Sequence, residues 1–197
     1  MLLDYIKGCL KDKWNEYDGH PEYLSKNVSF NQIFHPVEKE LYEEVGRKLG
    51  IAFPQELLTL YTECNGFRLF LSGFSIFGIQ QGKGEMEPYD LIIENHNIHS
   101  RMKENGCDDS NLIFVGNYGR NYVFCIRKDG SSGFYMMENG KDSVIAHFSS
   151  LEELIRYFIP RMIEHYDDQY ICDQPKEKYK MIPVLSNALY DLSAVGL

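Results

Sequence analysis

Residues 112–148 read LIFVGNYGRNYVFCIRKDGSSGFYMMENGKDSVIAHF. Four apolar runs lie inside that stretch: Leu112 to Val115, Tyr122 to Ile126, Phe134 to Met137 and Val144 to Phe148. Their β-branched and aromatic content reads as strand. The connectors between them are short: Asn117-Tyr118-Gly119, Asp129-Gly130 and Asn139-Gly140. Asn-Gly and Asp-Gly suit tight hairpins, because those turns require positive φ. Short connectors force neighbouring strands to run antiparallel, so the stretch predicts a meander.

Both flanks of the meander read as helix. Ser149 and Ser150 stand before Glu152 and Glu153, the spacing of a capping box. Leu151, Leu154, Ile155, Phe158, Ile159, Met162 and Ile163 then give a broad core face. Pro160 interrupts the run and predicts a kink or a split, since it removes one helical hydrogen bond. Before the meander, Leu91, Ile92, Ile98 and Met102 predict a helix over about 89–103, closed by Asn105-Gly106.

Further upstream, Leu69 to Ile79 reads as strand material between glycines. A helix beginning at Pro54 carries Leu57, Leu58 and Tyr61 inward and is expected to end on Asn65-Gly66 in the left-handed conformation. Another is expected to hold Pro36 in its first turn, with Val37, Leu41, Val45 and Leu49 inward and Glu38, Glu40, Glu43 and Glu44 facing water. A loop is expected over about 23–35. Leu2, Leu3, Ile6, Cys9, Leu10, Trp14 and Tyr17 recur at helical spacing and predict an N-terminal packing helix.

Helices, a meander with one helix inserted, then a helix make an α+β protein: an antiparallel twisted sheet with helices packed against it. The expected organisation is an N-terminal helix and loop at 1–32, an α+β domain at 33–165, and an extension at 166–197 packing on the same domain. That extension carries Asp167-Asp168, then Lys176, Lys178 and Lys180, then an apolar end from Ile182 to Leu197.

With 197 residues, 44% of them hydrophobic and 25% charged, the composition is that of one ordinary domain. The formal net charge of −9 argues against nucleic acid as a partner, because phosphate repels it, and suits a basic protein. Five cysteines, an odd number without a CxxC pair, fit reduced thiols in a cytoplasm. Asp4 and Lys7 break the first apolar run, so no signal peptide is expected, and no stretch has the length of a membrane span.

Enzyme motifs fail on spacing. Gly78 to Gly84 is one residue short of a phosphate loop and has Gly84 where a magnesium-binding hydroxyl belongs. Gly130-Ser131-Ser132-Gly133 lacks a residue of the nucleophile elbow and lies between strands. His96 and His99, with Glu94 nearby, share a helix side but lack the further ligands of a zinc site. Cys64 follows a helix C-terminus, where the dipole disfavours a thiolate, and Cys125 reads as core. The expectation is a chain with no catalytic set, no cofactor and no metal.

The order of short motifs resembles a known family. Val37-Glu38, Leu49-Gly50-Ile51, Phe53-Pro54-Gln55-Glu56, Leu60-Tyr61, Asn65-Gly66 and Phe74-Ser75-Ile76-Phe77-Gly78-Ile79 follow one another as in the SUKH superfamily. Leu112 to Gly116, Tyr122 to Ile126, Phe134 to Met137 and Ala146 to Leu154 are similar to its later strands and closing segment. The resemblance covers about residues 33–165. The N-terminal helix and the tail have no counterpart in it, and the segment 82–109 is longer and more helical than the resemblance leads one to expect.

That superfamily groups fungal regulators of cell-wall assembly with bacterial immunity proteins. The resemblance therefore implies a non-enzymatic binding protein. Its bacterial members imply a partner that is a toxin, often a nuclease and so basic around its site. On that reading the partner-binding residues are expected in loops at the sheet edge and in the inserted acidic segment: Glu85, Glu87, Asp90, Asp108 and Asp109, with Tyr89 as an aromatic anchor.

Overall fold

The structure is a computed structural model and describes residues 1–10, 15–17, 31–70, 72–80, 87–107 and 110–165. Five helices and eight strands occur among them. In chain order these are α1 (Leu2–Leu10), β1 (Asn15–Tyr17), β2 (Gln32–Phe34), α2 (Lys39–Leu49), α3 (Gln55–Glu63), β3 (Phe67–Leu69), β4 (Phe74–Ile76), α4 (Leu91–Glu104), β5 (Leu112–Tyr118), β6 (Tyr122–Arg127), β7 (Phe134–Glu138), β8 (Val144–Phe148) and α5 (Leu151–His165).

All strands join one sheet in chain order, β1 to β8. The pairs from β2 to β8 are antiparallel, and β1 adds to β2 in parallel. The fold is α+β, and the four-strand meander stands where it was expected.

Cross-strand partners share a face, so the registers assign the two sides of the sheet. Leu69 opposes Phe74, Phe74 opposes Tyr118, Phe124 opposes Met136, Met136 opposes Ala146, and Phe134 opposes Phe148. This side is apolar, and α5 lies on it. The Phe158 ring sits 5.5 Å from Phe74, 4.9 Å from Tyr118, 5.2 Å from Phe124 and 5.9 Å from Phe148. α1 extends the layer through Leu3, Ile6 and Leu10, and the Arg156 guanidinium lies 4.2 Å from the Tyr5 ring centre.

The opposite side carries Arg68, Ser75, Asn117 and Val123 in one cross-strand row. Cys125, Tyr135 and His147 form another. α4 covers part of this side. Its Asn95 amide donates to the Phe114 carbonyl at 2.7 Å and accepts from the Phe114 N–H at 2.8 Å, taking backbone groups at the bulge that β5 makes between Phe114 and Gly116. His99 Nε2 lies 3.1 Å from the Leu112 carbonyl oxygen.

Several local expectations change. α1 ends at Leu10 and Asn15–Tyr17 is a strand, so the apolar spacing that runs on to Tyr17 is not one helix. Trp14 lies outside the described residues. The expected loop ends in β2. α2 begins at Lys39, so Pro36 precedes the helix instead of opening it, and the fully buried side chain on it is Tyr42, outside the expected stripe. Gly50 closes α2 in the left-handed conformation, at φ +71. The strand material from Leu69 divides into β3 and β4 around a turn in which Phe70 and Ser72 have positive φ. There the Asn31 side chain accepts from Phe70 N–H at 2.9 Å, and Arg68 Nε donates to Ser72 Oγ at 3.0 Å.

α3 ends at Glu63 with Cys64 extended at φ −157, and the left-handed residue is Gly66, at φ +76. Asn65 turns inward instead and is 4% exposed. Its Oδ1 accepts from the Tyr42 hydroxyl and from Ile79 N–H, and its Nδ2 donates to the Ile79 carbonyl at 2.7 Å. Ser149 and Ser150 cap α5 through Glu153 as expected, but α5 runs through Pro160 unsplit.

Candidate functional site

The approach to α4 is built from three contacts. Asp90 caps the helix: its Oδ1 accepts from Ile92 N–H at 3.0 Å and Ile93 N–H at 2.9 Å. Its Oδ2 accepts from Gln80 N–H at 3.1 Å. Gly78 then bridges to the same turn, donating to the Tyr89 carbonyl at 2.9 Å and accepting from Leu91 N–H at 2.8 Å. Only glycine fits there, because a Cβ on Gly78 would stand 2.1 Å from the Asn65 carbonyl oxygen. The buried Asn65 thus fixes 77–79, and 77–79 fixes the start of α4.

Tyr89 sits between two partners. Its ring meets Phe77 edge-on at 6.1 Å, and the Arg68 guanidinium lies 4.6 Å from its centre. Arg68 also donates to the Glu87 carbonyl at 3.4 Å. Of the sequence-derived candidates, Glu87, Tyr89 and Asp90 therefore stand together at the N-terminal end of α4. Asp90 is engaged in capping and Tyr89 in ring contacts. Glu85, Asp108 and Asp109 lie outside the described residues.

Beside this cluster is a cavity of about 230 Å³, lined by residues that include Phe77, Tyr89, Glu94, Asn117, Arg120 and Asn139. Burial is the main cause pushing the Glu94 carboxyl above its usual range. Asp90 adds to the rise and Arg101 opposes it. Asn117 Nδ2 donates to the Gly119 carbonyl at 2.8 Å, and Asn139 Nδ2 to the Arg120 carbonyl at 3.0 Å. Both amides are thereby oriented, and each Oδ1 is buried with no hydrogen bond from the protein. Ser75 Oγ, Glu87 Oε2 and Arg127 Nε share that condition among the described residues. The registers put Ser75, Asn117 and Arg127 on the α4 side of the sheet, and Asn139 lines the cavity together with α4.

Arg68, Ser75, Asn117 and Asn139 were not singled out from the sequence. Asn117 and Asn139 read as turn residues. Only strand register shows that Arg68, Ser75 and Asn117 form a polar row across three strands.

His96 and His99 do not converge. His96 is exposed, while His99 packs on Phe114 and bonds to Leu112. Among the described residues no group of three or more His, Cys, Asp or Glu side chains is placed to hold a metal ion. No described helix is long and apolar enough to cross a membrane.

The sequence matches the family model described as SMI1 / KNR4 family (SUKH-1) over residues 36–183. No curated protein matches the chain.

Proposed function

The chain belongs to the SMI1 / KNR4 family (SUKH-1), and from that premise we propose that it is a non-enzymatic binding protein, an immunity protein that neutralises a cognate toxin by direct contact. The family match over residues 36–183 carries this reading, because the superfamily's bacterial members act in that way. The net charge of −9 supports it: a nuclease toxin is basic where it binds phosphate, and opposite charge speeds encounter and favours correct docking.

The interface is proposed at the segments flanking α4, with Glu85, Glu87, Asp108 and Asp109 supplying negative potential and Tyr89 an aromatic surface already backed by Phe77 and Arg68. Asp90 contributes by holding the helix start. The partner is a protein, the site of action is the cytoplasm, and the domain limits are those read from the sequence.

The test is capture of the toxin encoded beside this gene by the full purified chain. Retention of the toxin with loss of its activity is expected. Charge reversal at Glu85, Asp108 and Asp109 should slow association by about tenfold, an effect that salt diminishes. Equal association after reversal removes the surface assignment, and a toxin that stays active and unbound removes the function.

A second reading draws on the same family match: a regulatory scaffold of the cell-wall assembly type. It predicts several protein partners of moderate affinity, and no toxin gene alongside.

A further inference from the structure

We propose that Asn65 is the positioning residue of the partner-binding surface: its buried amide holds the backbone of 78–80, and that backbone holds Tyr89 and the start of α4 in the place from which they meet the partner. This rests on the binding-protein reading and adds to it the residue that sets the surface in place.

The sheet leaves residues 78–80 without a strand on one flank. The β3–β4 ladder runs from Leu69 opposite Phe74 to Phe67 opposite Ile76 and stops there. Beyond it, Ile79 takes its partner from a side chain. Asn65 Nδ2 donates to the Ile79 carbonyl at 2.7 Å, and Asn65 Oδ1 accepts from Ile79 N–H at 2.8 Å. A carboxamide carries the donor and the acceptor of a peptide group, so it closes the two bonds that a neighbouring strand would close. Glycine permits the approach: a Cβ on Gly66 would stand 2.5 Å from the Ile76 carbonyl oxygen.

The other flank of 78–80 belongs to the segment entering α4. Gly78 and Gln80 alternate with Ile79, as in a strand, and turn their backbone groups the other way. Gly78 bonds to Tyr89 and Leu91, and Gln80 N–H to Asp90 Oδ2. Residues 78–80 are thus held between one side-chain amide and 89–91. Phe77 is fixed separately, through the Tyr61 hydroxyl and the Val115 carbonyl, and Asn95 fixes α4 further along. Neither of those anchors bonds to Ile79.

Tyr42 orients the amide. Its hydroxyl donates to Asn65 Oδ1, and its ring stacks on Tyr61 at 4.1 Å. One orientation of the amide satisfies all of its bonds. Turned over, it would set oxygen against the Ile79 carbonyl and nitrogen against the Ile79 N–H. The placement of 78–80 is therefore single, and a surface already in its bound form loses less on binding.

The test reads amide hydrogen exchange residue by residue, by nuclear magnetic resonance on the full isotope-labelled chain. In Asn65→Ala, the N–H groups of Gly78, Ile79, Gln80 and Leu91 should speed up by about tenfold more than Leu154 N–H in α5, which reports the general change. Tyr42→Phe removes the hydroxyl and keeps the ring, and should give about threefold at the same groups. A rise at these groups no larger than at Leu154 overturns the proposal, for it makes Asn65 a general stabiliser. If Asn65→Ala does not fold, Tyr42→Phe decides alone.

A second arm measures binding to a toxin that the wild-type chain captures. Asn65→Ala should weaken capture by about tenfold and Tyr42→Phe by about threefold. Phe158→Leu lowers stability from the far side of the sheet and should stay within about twofold of wild type. Unchanged capture by Asn65→Ala, or by Tyr42→Phe where Asn65→Ala does not fold, overturns the positioning role while the binding function stands. So does an equal loss in Phe158→Leu. If the wild-type chain captures no toxin, the function reading falls and the positioning role falls with it, whatever the exchange shows.

Discussion

The two sides of the sheet differ in what they ask of their side chains. On the α5 side, rings from four strands meet around Phe158, and the cross-strand rows are apolar up to Glu138 at the end of β7. On the α4 side, Arg68, Ser75 and Asn117 stand in strand positions, and buried polar atoms of Ser75, Asn117, Arg127 and Asn139 find no partner within the described protein. Hydrophobic contact is non-directional and accumulates with area. Polar atoms stabilise only when matched, and unmatched ones lower stability. One side thus holds the molecule together, and the other keeps unsatisfied hydrogen-bonding capacity beside a cavity. A protein that works by binding needs both.

The largest effect should come from the centre of the apolar side. Phe158→Ala removes the ring that touches Phe74, Tyr118, Phe124 and Phe148. A loss of about 3–5 kcal/mol is expected in urea unfolding. A loss below about 1 kcal/mol would mean that the cluster does not carry the stability assigned to it.

Next comes a place where the polar side is matched. Asn95→Ala strands both backbone groups of Phe114 at the β5 bulge, and a loss of about 2–4 kcal/mol is expected by the same measurement. If it proves neutral, the contrast between matched and unmatched polar groups fails. Asp90→Ala removes the α4 cap and should cost about 1 kcal/mol, while Asp90→Asn or Asp90→Ser should recover most of it in the same unfolding series.

Ser75→Ala should have the opposite sign. The Ser75 hydroxyl is fully buried with no partner, so its removal should be neutral or stabilise by up to about 1 kcal/mol in a thermal melt. A clear destabilisation would show that the hydroxyl is satisfied after all.

The smallest effect is a pH dependence at Glu94. Its raised carboxyl pKa, caused chiefly by burial and then by Asp90 against Arg101, means that the folded chain holds this proton more tightly than the unfolded one. The associated stability is complete below the ordinary Glu value near pH 4.3 and is lost as pH climbs through the raised value. Glu94→Gln should therefore melt like wild type in acid and slightly above it at neutral pH. A variant that gains stability only in acid would reverse the sign and remove the argument.

Much of this was legible in residue order. The meander could be placed because Asn117, Asp129 and Asn139 mark turns between β-rich runs, and both signals are local. The α5 cap could be placed because Ser150 and Glu153 sit three apart. Pro160 does not split α5, because the missing hydrogen bond costs about 3 kcal/mol and the core face of the helix, with Leu154, Ile155, Phe158 and Ile159 all buried, offsets that loss. Asn65 is a different case. Asn-Gly after a helix is a common cap, and only the approach of Ile79 and Tyr42 turns that amide inward. Glu87, Tyr89 and Asp90 were legible as a cluster, whereas Asn117, Asn139 and Glu94 around the cavity were not.

Residue order settled the helices α2 to α5, the meander from β5 to β8, the α+β class and the acidic balance, since propensity, period and charge are properties of a few neighbours or of a sum. Register, the division of the sheet into an apolar and a polar side, and the meeting of α4 with the β5–β6 hairpin came from packing alone. Those features join residues far apart in the chain, and no local preference of either partner encodes which of its many possible neighbours it will face.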